Sequence, residues 1–353
     1  MKISGRLQEL DSLRGIAILA VVMCHFTLPY NISNYGLKLG ATGVELFFII
    51  SGFVIFFSIE RTHSLKAFVV SRFARLFPAY WISVTFTATI TILYLYLTRQ
   101  SIVFPTVKDY LINLTMLQDF FNVQRIDSVY WSLTIELMFY FFIAVLFLSK
   151  GLSKINHISL AILMVCLLND FVFNKNLIFL HLFFDRYYSI IYDFPLFIAG
   201  IMFYKIKFGK VEIYSVALII LSYLTLIIIW QPIGGHALES RTQYALIVLV
   251  YFLLFVLYCF DKLSFIVNRA LLFLGKISYP LYLIHSYVFV TLLVPVLTKS
   301  KYIHINPYIA SFIIAFPLAV LFSTLINRYI EQPLRRAIRN EILKKNNKKQ
   351  LIN

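Results

Sequence analysis

Apolar residues run along the chain in ten blocks of about twenty, separated by short polar or basic stretches. The blocks lie at roughly 12–30, 40–59, 77–97, 129–149, 156–174, 187–205, 212–230, 242–260, 271–297 and 308–330. A helix needs about 20 mostly apolar residues to cross the hydrocarbon core of a bilayer. A helix of a soluble domain shows instead one apolar stripe and one polar face. The blocks therefore predict an all-α polytopic membrane protein of about ten transmembrane helices. Of the connecting stretches, 98–128 is the longest internal one, and its VKDYLINLTMLQDF has apolar residues at helical spacing. That pattern predicts a surface or re-entrant amphipathic helix. Residues 1–334 read as one transmembrane domain, and 335–353 as a basic, disordered cytoplasmic tail.

Composition excludes a soluble domain: hydrophobic residues are 60%, charged residues 14%, and the mean hydropathy is +0.82. The 32 Lys and Arg residues give an orientation. With the N-terminus cytoplasmic, 23 of the 32 fall in inside segments, which fits the positive-inside rule with both termini in the cytoplasm. The net charge of +16 would suggest nucleic acid in a soluble protein. Here it belongs to loops beside anionic lipid, so the bilayer is the expected partner and nucleic acid is not. Cys24, Cys166 and Cys259 fall in separate apolar blocks without paired spacing, so neither a disulfide framework nor a metal site is expected. Asp11 and Arg14 make a poor start to a cleaved leader, and the first helix is expected to be retained.

Polar groups inside the apolar blocks carry the chemistry. Arg14 and His25 lie eleven residues apart, about 20° past three helical turns, and share a face about 16 Å apart along the axis. An intramembrane Arg and His are costly unless they face a polar interior. The plain alternatives are a snorkelling anchor and a packed bundle histidine. Glu45, near the start of the second span, has a depth that would let it pair with His25 and hold the imidazole in one tautomer. Gly40 and Gly43 precede it and would permit close backbone approach, for packing or for a ligand. Arg72 and Arg75, at i and i+3 in SRFARLFP, share a helix face and suit phosphate recognition, with Phe73, Leu76 and Phe77 anchoring that helix at the interface. Glu136 and Tyr140 are i, i+4 in the fourth span, with Trp131 near the outer interface. Asp170, Asp185, Arg186 and Asp193 gather near outer ends of later spans. Ser278, Tyr282 and His285 form one stripe in LGKISYPLYLIH, on a helix expected to be interrupted by Pro280. Glu331 closes the last span, where a neighbouring Arg is its expected partner.

Six segments in order, LDSLRGIAILAVVMCH, GATGVELFFIISGFVI, SRFARLFPAYW, VYWSLTIELMFY, LGKISYPLYLIH and IEQP, resemble the acyltransferase-3 family of integral-membrane O-acyltransferases. They span residues 10–333. Glu45 stands where the family usually has Asp, which keeps the carboxylate and lengthens its reach. The resemblance implies ten membrane helices and transfer of an acyl group, usually acetyl, from cytoplasmic acyl-CoA. The acceptor it implies is a hydroxyl of an extracytoplasmic glycan or lipid-linked saccharide. By the same resemblance, Arg14 and His25 match the family's essential pair, and Arg72 and Arg75 match its donor-associated Arg-x-x-Arg. A fused hydrolase-like domain, present in some relatives, is not expected.

In the mechanism this implies, the donor's phosphates meet Arg72, Arg75 and Arg14, while His25, oriented by Glu45 or Glu136, is general base or acyl carrier. Ser278, Tyr282, His285, Tyr140 and Trp131 are the candidate oxyanion or acceptor contacts. No bound cofactor or metal is expected, acetyl-CoA being a substrate, and the expected location is a bacterial inner membrane. Two rivals are a transporter or flippase, which would need no coenzyme A, and a receptor or assembly subunit whose polar residues only fix packing.

Overall fold

In hydrocarbon every backbone polar group must be satisfied within the protein, and an α-helix does this within one segment. The structure, a computed structural model, describes residues 7–28, 37–62, 64–100, 105–168, 178–231, 238–299 and 305–338, except for the side chains of 178–191. The described residues are helical throughout the apolar blocks and contain no strand. The helices are α1 (Gln8–Thr27), α2 (Gly43–Glu60, led by the 3₁₀ turn Leu37–Thr42), α3 (Leu65–Leu97), α4 (Val107–Asn113) and α5 (Trp131–Leu148). There follow α6 (Ile155–Leu168), α7 (Ile178–Phe208), α8 (Ile213–Ile228) and α9 (Arg241–Cys259). Helix α10 (Arg269–Ile284) continues through the π-helical His285–Leu293 into α11 (Val294–Lys299). Finally α12 (Phe316–Ile326) lies between the π-helical Ile309–Ala315 and Asn327–Glu331.

Eight of the described helical segments are long and apolar enough to cross a membrane. The expected sixth and seventh spans correspond to α7 and the shorter α8, of 16 residues. The chain is a multi-pass membrane protein. The basic tail from 339, Asp170, and much of the polar stretch 231–241 lie outside the described residues, as do the side chains of Asp185 and Arg186.

Two compact units form. The first comprises residues 1–61 and 135–275, and the second 62–134 and 276–353. In the first unit α2 packs along α7, and α1 packs on α2 with its 3₁₀ lead. The α2–α7 contact is made by backbone: a Cβ on Gly52 would fall on the Phe197 carbonyl, and one on Gly200 on that of Ile49. Around it Phe48, Phe139 and Phe197 stack, with Phe139 and Phe197 centroids 4.2 Å apart.

In the second unit, α3 is a single helix of 33 residues, about 50 Å long against a hydrocarbon core of about 30 Å. The basic stretch read as a juxtamembrane segment is thus the first turns of the third span. Phe73 is exposed and stacks on Phe77, whereas Leu76 is buried rather than at the interface. The segment after α3 folds back along it. Tyr110 bonds Thr85 at 2.8 Å, and Trp81 and Tyr80 donate to the Leu114 and Asn113 carbonyls at 2.9 and 2.7 Å. Trp81 is sixteen residues, about 24 Å, from the end of the helix, so this segment is re-entrant.

Pro280 does not interrupt α10. Proline removes the N–H that would bond the carbonyl of Lys276, and the Asn327 side chain donates there instead at 3.0 Å. The irregularity comes five residues later, where the helix widens at His285.

Gly52→Ala should lower stability by about 3 kcal/mol through overpacking against backbone, whereas Gly151→Ala, which meets only side chains, should be nearly neutral. Melting of the purified protein in detergent distinguishes the two.

Candidate active site

In the first unit, α1 brings Arg14 and His25 to one face. The Arg14 guanidinium meets Asp11 one turn earlier at 3.2 Å, and its side chain is 18% exposed. The half-buried His25 ring places Nδ1 3.0 Å from the Val21 carbonyl. A carbonyl only accepts, so Nδ1 carries the hydrogen and Nε2 carries the lone pair. The imidazole is thereby presented as a base or nucleophile at Nε2. The expected glycines pack rather than bind: Cβ atoms on Gly40 and Gly43 would fall on the carbonyls of Ala20 and Ala17 of α1. Their close approach sets the start of α2, and Glu45 with it, against α1.

Glu45 is buried, as are Asp193 and Glu239, and all three lie within electrostatic range of the buried Tyr244. Tyr251, bonded to Thr42 at 3.0 Å, shares the charges of Glu45 and Glu239. The sequence singled out Glu45 and Asp193 but not Glu239, Tyr244 or Tyr251. Glu239 stands in a polar stretch that carries no spacing signal. Glu136 is held from two helices, since Ser51 of α2 donates to its Oε1 at 3.0 Å and Tyr140 to the same oxygen at 2.5 Å. The i, i+4 pair expected on α5 is therefore real, and it joins α5 to α2.

In the second unit, Arg72 and Arg75 lie half-buried on α3, Arg72 with Nε 3.4 Å from Ser71 Oγ and its guanidinium 5.8 Å from the Phe68 ring. Ser278, Tyr282 and His285 are all buried. The Tyr282 hydroxyl donates to the Val129 carbonyl at 2.9 Å and accepts from Ser132 at 2.7 Å, so its proton is already committed. His285 holds Nδ1 3.0 and 2.9 Å from the carbonyls of Leu281 and Tyr282, the same tautomer lock as His25. Tyr130 donates to Leu283 at 3.2 Å, and neighbouring Trp131 opens α5. Asp127, which sequence reading passed over, receives the backbone N–H groups of Val129 and Tyr287 at 3.2 and 2.9 Å, and burial pushes its carboxyl up to about 7. At the re-entrant helix, Thr106 donates from hydroxyl and amide to Asp109, holding that carboxyl below its ordinary value. Glu331 pairs with Arg335 at 3.2 Å, as expected, and accepts from Asn327 at 2.8 Å. Among the described residues no group of three or more His, Cys, Asp and Glu is placed to hold a metal ion.

A multi-span helical protein with a tautomer-fixed histidine and an arginine on one face of its first helix has the parts of a membrane-embedded transferase. The acyltransferase-3 profile, described as an acyltransferase domain, matches residues 7–328, and the chain belongs to that family. It is an acyltransferase. It is 23% identical over 287 residues to ORF330 of Acidianus two-tailed virus, provisionally named an acetyltransferase, covering 78% of this chain and 82% of that one. It is 27% identical over 163 residues to Nodulation protein 10 of Rhizobium leguminosarum bv. viciae, covering 39% and 43%. No solved structure matches.

Glu136→Ala should strand the Ser51 and Tyr140 donors and lower stability by about 1–3 kcal/mol. Glu136→Gln, which keeps an acceptor oxygen, should recover most of it. Thermal melts of the two variants in one detergent test this.

Proposed function

We propose that the chain transfers an acyl group, acetyl by preference, from cytoplasmic acyl-CoA to a hydroxyl of an extracytoplasmic glycan such as O-antigen, capsule or exopolysaccharide. It does so in a bacterial inner membrane, with both termini cytoplasmic. The observation that carries this reading is the bond between His25 Nδ1 and the Val21 carbonyl, which leaves Nε2 unprotonated beside a polar helix face. His25 Nε2 takes the acceptor hydroxyl's proton as the oxygen attacks the thioester carbonyl. The tetrahedral intermediate expels the coenzyme A thiolate, and the imidazolium returns the proton to sulfur, leaving ester and free thiol. A route in which Nε2 itself carries the acyl group needs the same tautomer.

Arg72 and Arg75 are the donor-binding pair in this reading. Two guanidinium forks on one helix face suit the coenzyme's phosphates better than lysines would. Arg14, already paired with Asp11, keeps its guanidinium fixed rather than free to swing. Glu45 is the carboxylate placed on α2 by the Gly40–Gly43 approach to α1, and it supplies the negative potential that would stabilise an imidazolium. Glu136 serves as support for α2 and α5, since its Oε1 already accepts two hydroxyl donors.

Purified wild type should release thiol from acetyl-CoA, while His25→Ala at equal abundance should lose about 10²–10⁴-fold in rate. Arg72→Lys should raise the KM for acetyl-CoA more than it lowers kcat. Activity retained in His25→Ala would overturn the catalytic role, and transport without acetyl-CoA would favour a carrier. Mass spectrometry of ester-linked acetyl on surface glycans, in a deletion strain complemented with each variant, tests the acceptor.

A further inference from the structure

The re-entrant segment is stapled at almost every polar atom. Asn113 donates to the carbonyls of Asp109 and Gln124, each at 2.9 Å, and accepts from Ile126 N at 3.0 Å. Thr134 donates to the Met116 carbonyl at 2.9 Å and bonds Asp119 at 3.2 Å, and Asp119 pairs with Arg125 at 2.7 Å. Amid these bonds the side chain of Gln118 is fully buried, and neither its carboxamide oxygen nor its nitrogen has a hydrogen-bond partner. Two residues earlier, Met116 is buried in the left-handed region at φ 61°. An unsatisfied buried amide and a left-handed non-glycine residue are both costly, and such outliers gather where a site is built. Irregular backbone at membrane depth is tolerated where it is buried in protein or lines a polar cavity.

We propose that the Gln118 carboxamide is a saccharide-binding group, accepting a hydrogen bond from one ring hydroxyl and donating to its neighbour. This inference rests on the hydroxyl-acceptor reading above and names a residue that would read that acceptor. The chemistry selects the ligand class. An anion would need donors only and a cation acceptors only, whereas an amide offers one of each, as a vicinal diol requires. The charged neighbours do not alter this, because Arg125 and Asp119 neutralise one another. Admission of the sugar requires the turn around 114–123 to shift, and left-handed residues at Met116 and Asn122 bracket its moving part.

The test uses the full chain in lipid nanodiscs, with methyl glycosides of glucose, galactose, mannose and rhamnose as probes read by saturation-transfer NMR. Wild type should show transfer to ring protons of at least one probe. Gln118→Met, which removes both orphaned groups at similar volume, should melt higher while losing about tenfold in affinity. An unchanged signal in Gln118→Met, no signal in wild type, or a lower melting temperature with the signal intact would overturn the proposal. Should Gln118→Met fail to assemble, Gln118→Asn keeps the amide but withdraws it by one methylene. A weakened signal at unchanged melting then supports the assignment, and an unchanged signal defeats it. Thiol release from acetyl-CoA in the same nanodiscs reads the parent function separately. Release without saccharide binding defeats this inference alone, and binding without release defeats the reading on which it rests.

Discussion

A polar group inside an apolar helix cannot turn to water, so its partner must come from the protein itself. This one constraint shapes the structure at every point where the chemistry is concentrated. Glu136 draws Ser51 and Tyr140 to a single oxygen and so joins α2 to α5. Lys276, whose carbonyl loses its usual donor to Pro280, takes one from Asn327, which also bonds Glu331. Both histidines of interest turn one ring nitrogen onto a backbone carbonyl of the preceding turn. The partner demanded by burial fixes the tautomer, and the tautomer defines what the ring can do. Stability and reactivity are here the same hydrogen bond.

The two units divide the functional parts. The first carries Arg14, His25, Glu45 and Glu136, and the second carries the arginine pair of α3, the re-entrant segment and the Ser278–Tyr282–His285 stripe. Membership of the acyltransferase-3 family accounts for why such costly groups sit in apolar sequence at all. Tyr282 shows how a candidate can be reassigned by its bonds. Its hydroxyl proton goes to Val129, which makes it a tie between α10 and the start of α5.

Much of this was legible in the sequence because it depends on period and run length. Ten apolar blocks predict the helices within a few residues, and i, i+4 spacing correctly pairs Glu136 with Tyr140 and leaves Glu331 in reach of Arg335. What escaped depends on contacts distant in sequence. Asp127 receives an N–H 160 residues away, and Asn327 answers a vacancy created by a proline on another helix. The continuity of α3 through Pro78 was missed because a basic stretch followed by proline reads as loop and boundary. Gln118 has no signature of any kind, since an amide in a polar loop is ordinary until its surroundings are seen to be closed.

The long α3 has a mechanical consequence. Its basic end carries Arg72 and Arg75, and about 9 Å further on Trp81 holds the re-entrant segment by the Leu114 carbonyl. Between them stands Pro78, where one rung of the helix ladder is missing because its ring nitrogen has no hydrogen to give to the Ala74 carbonyl. The helix is thus two stiff rods joined at its most compliant turn. Flexure there is the least costly way for the chain to change the distance between its arginine pair and the segment pinned beside it.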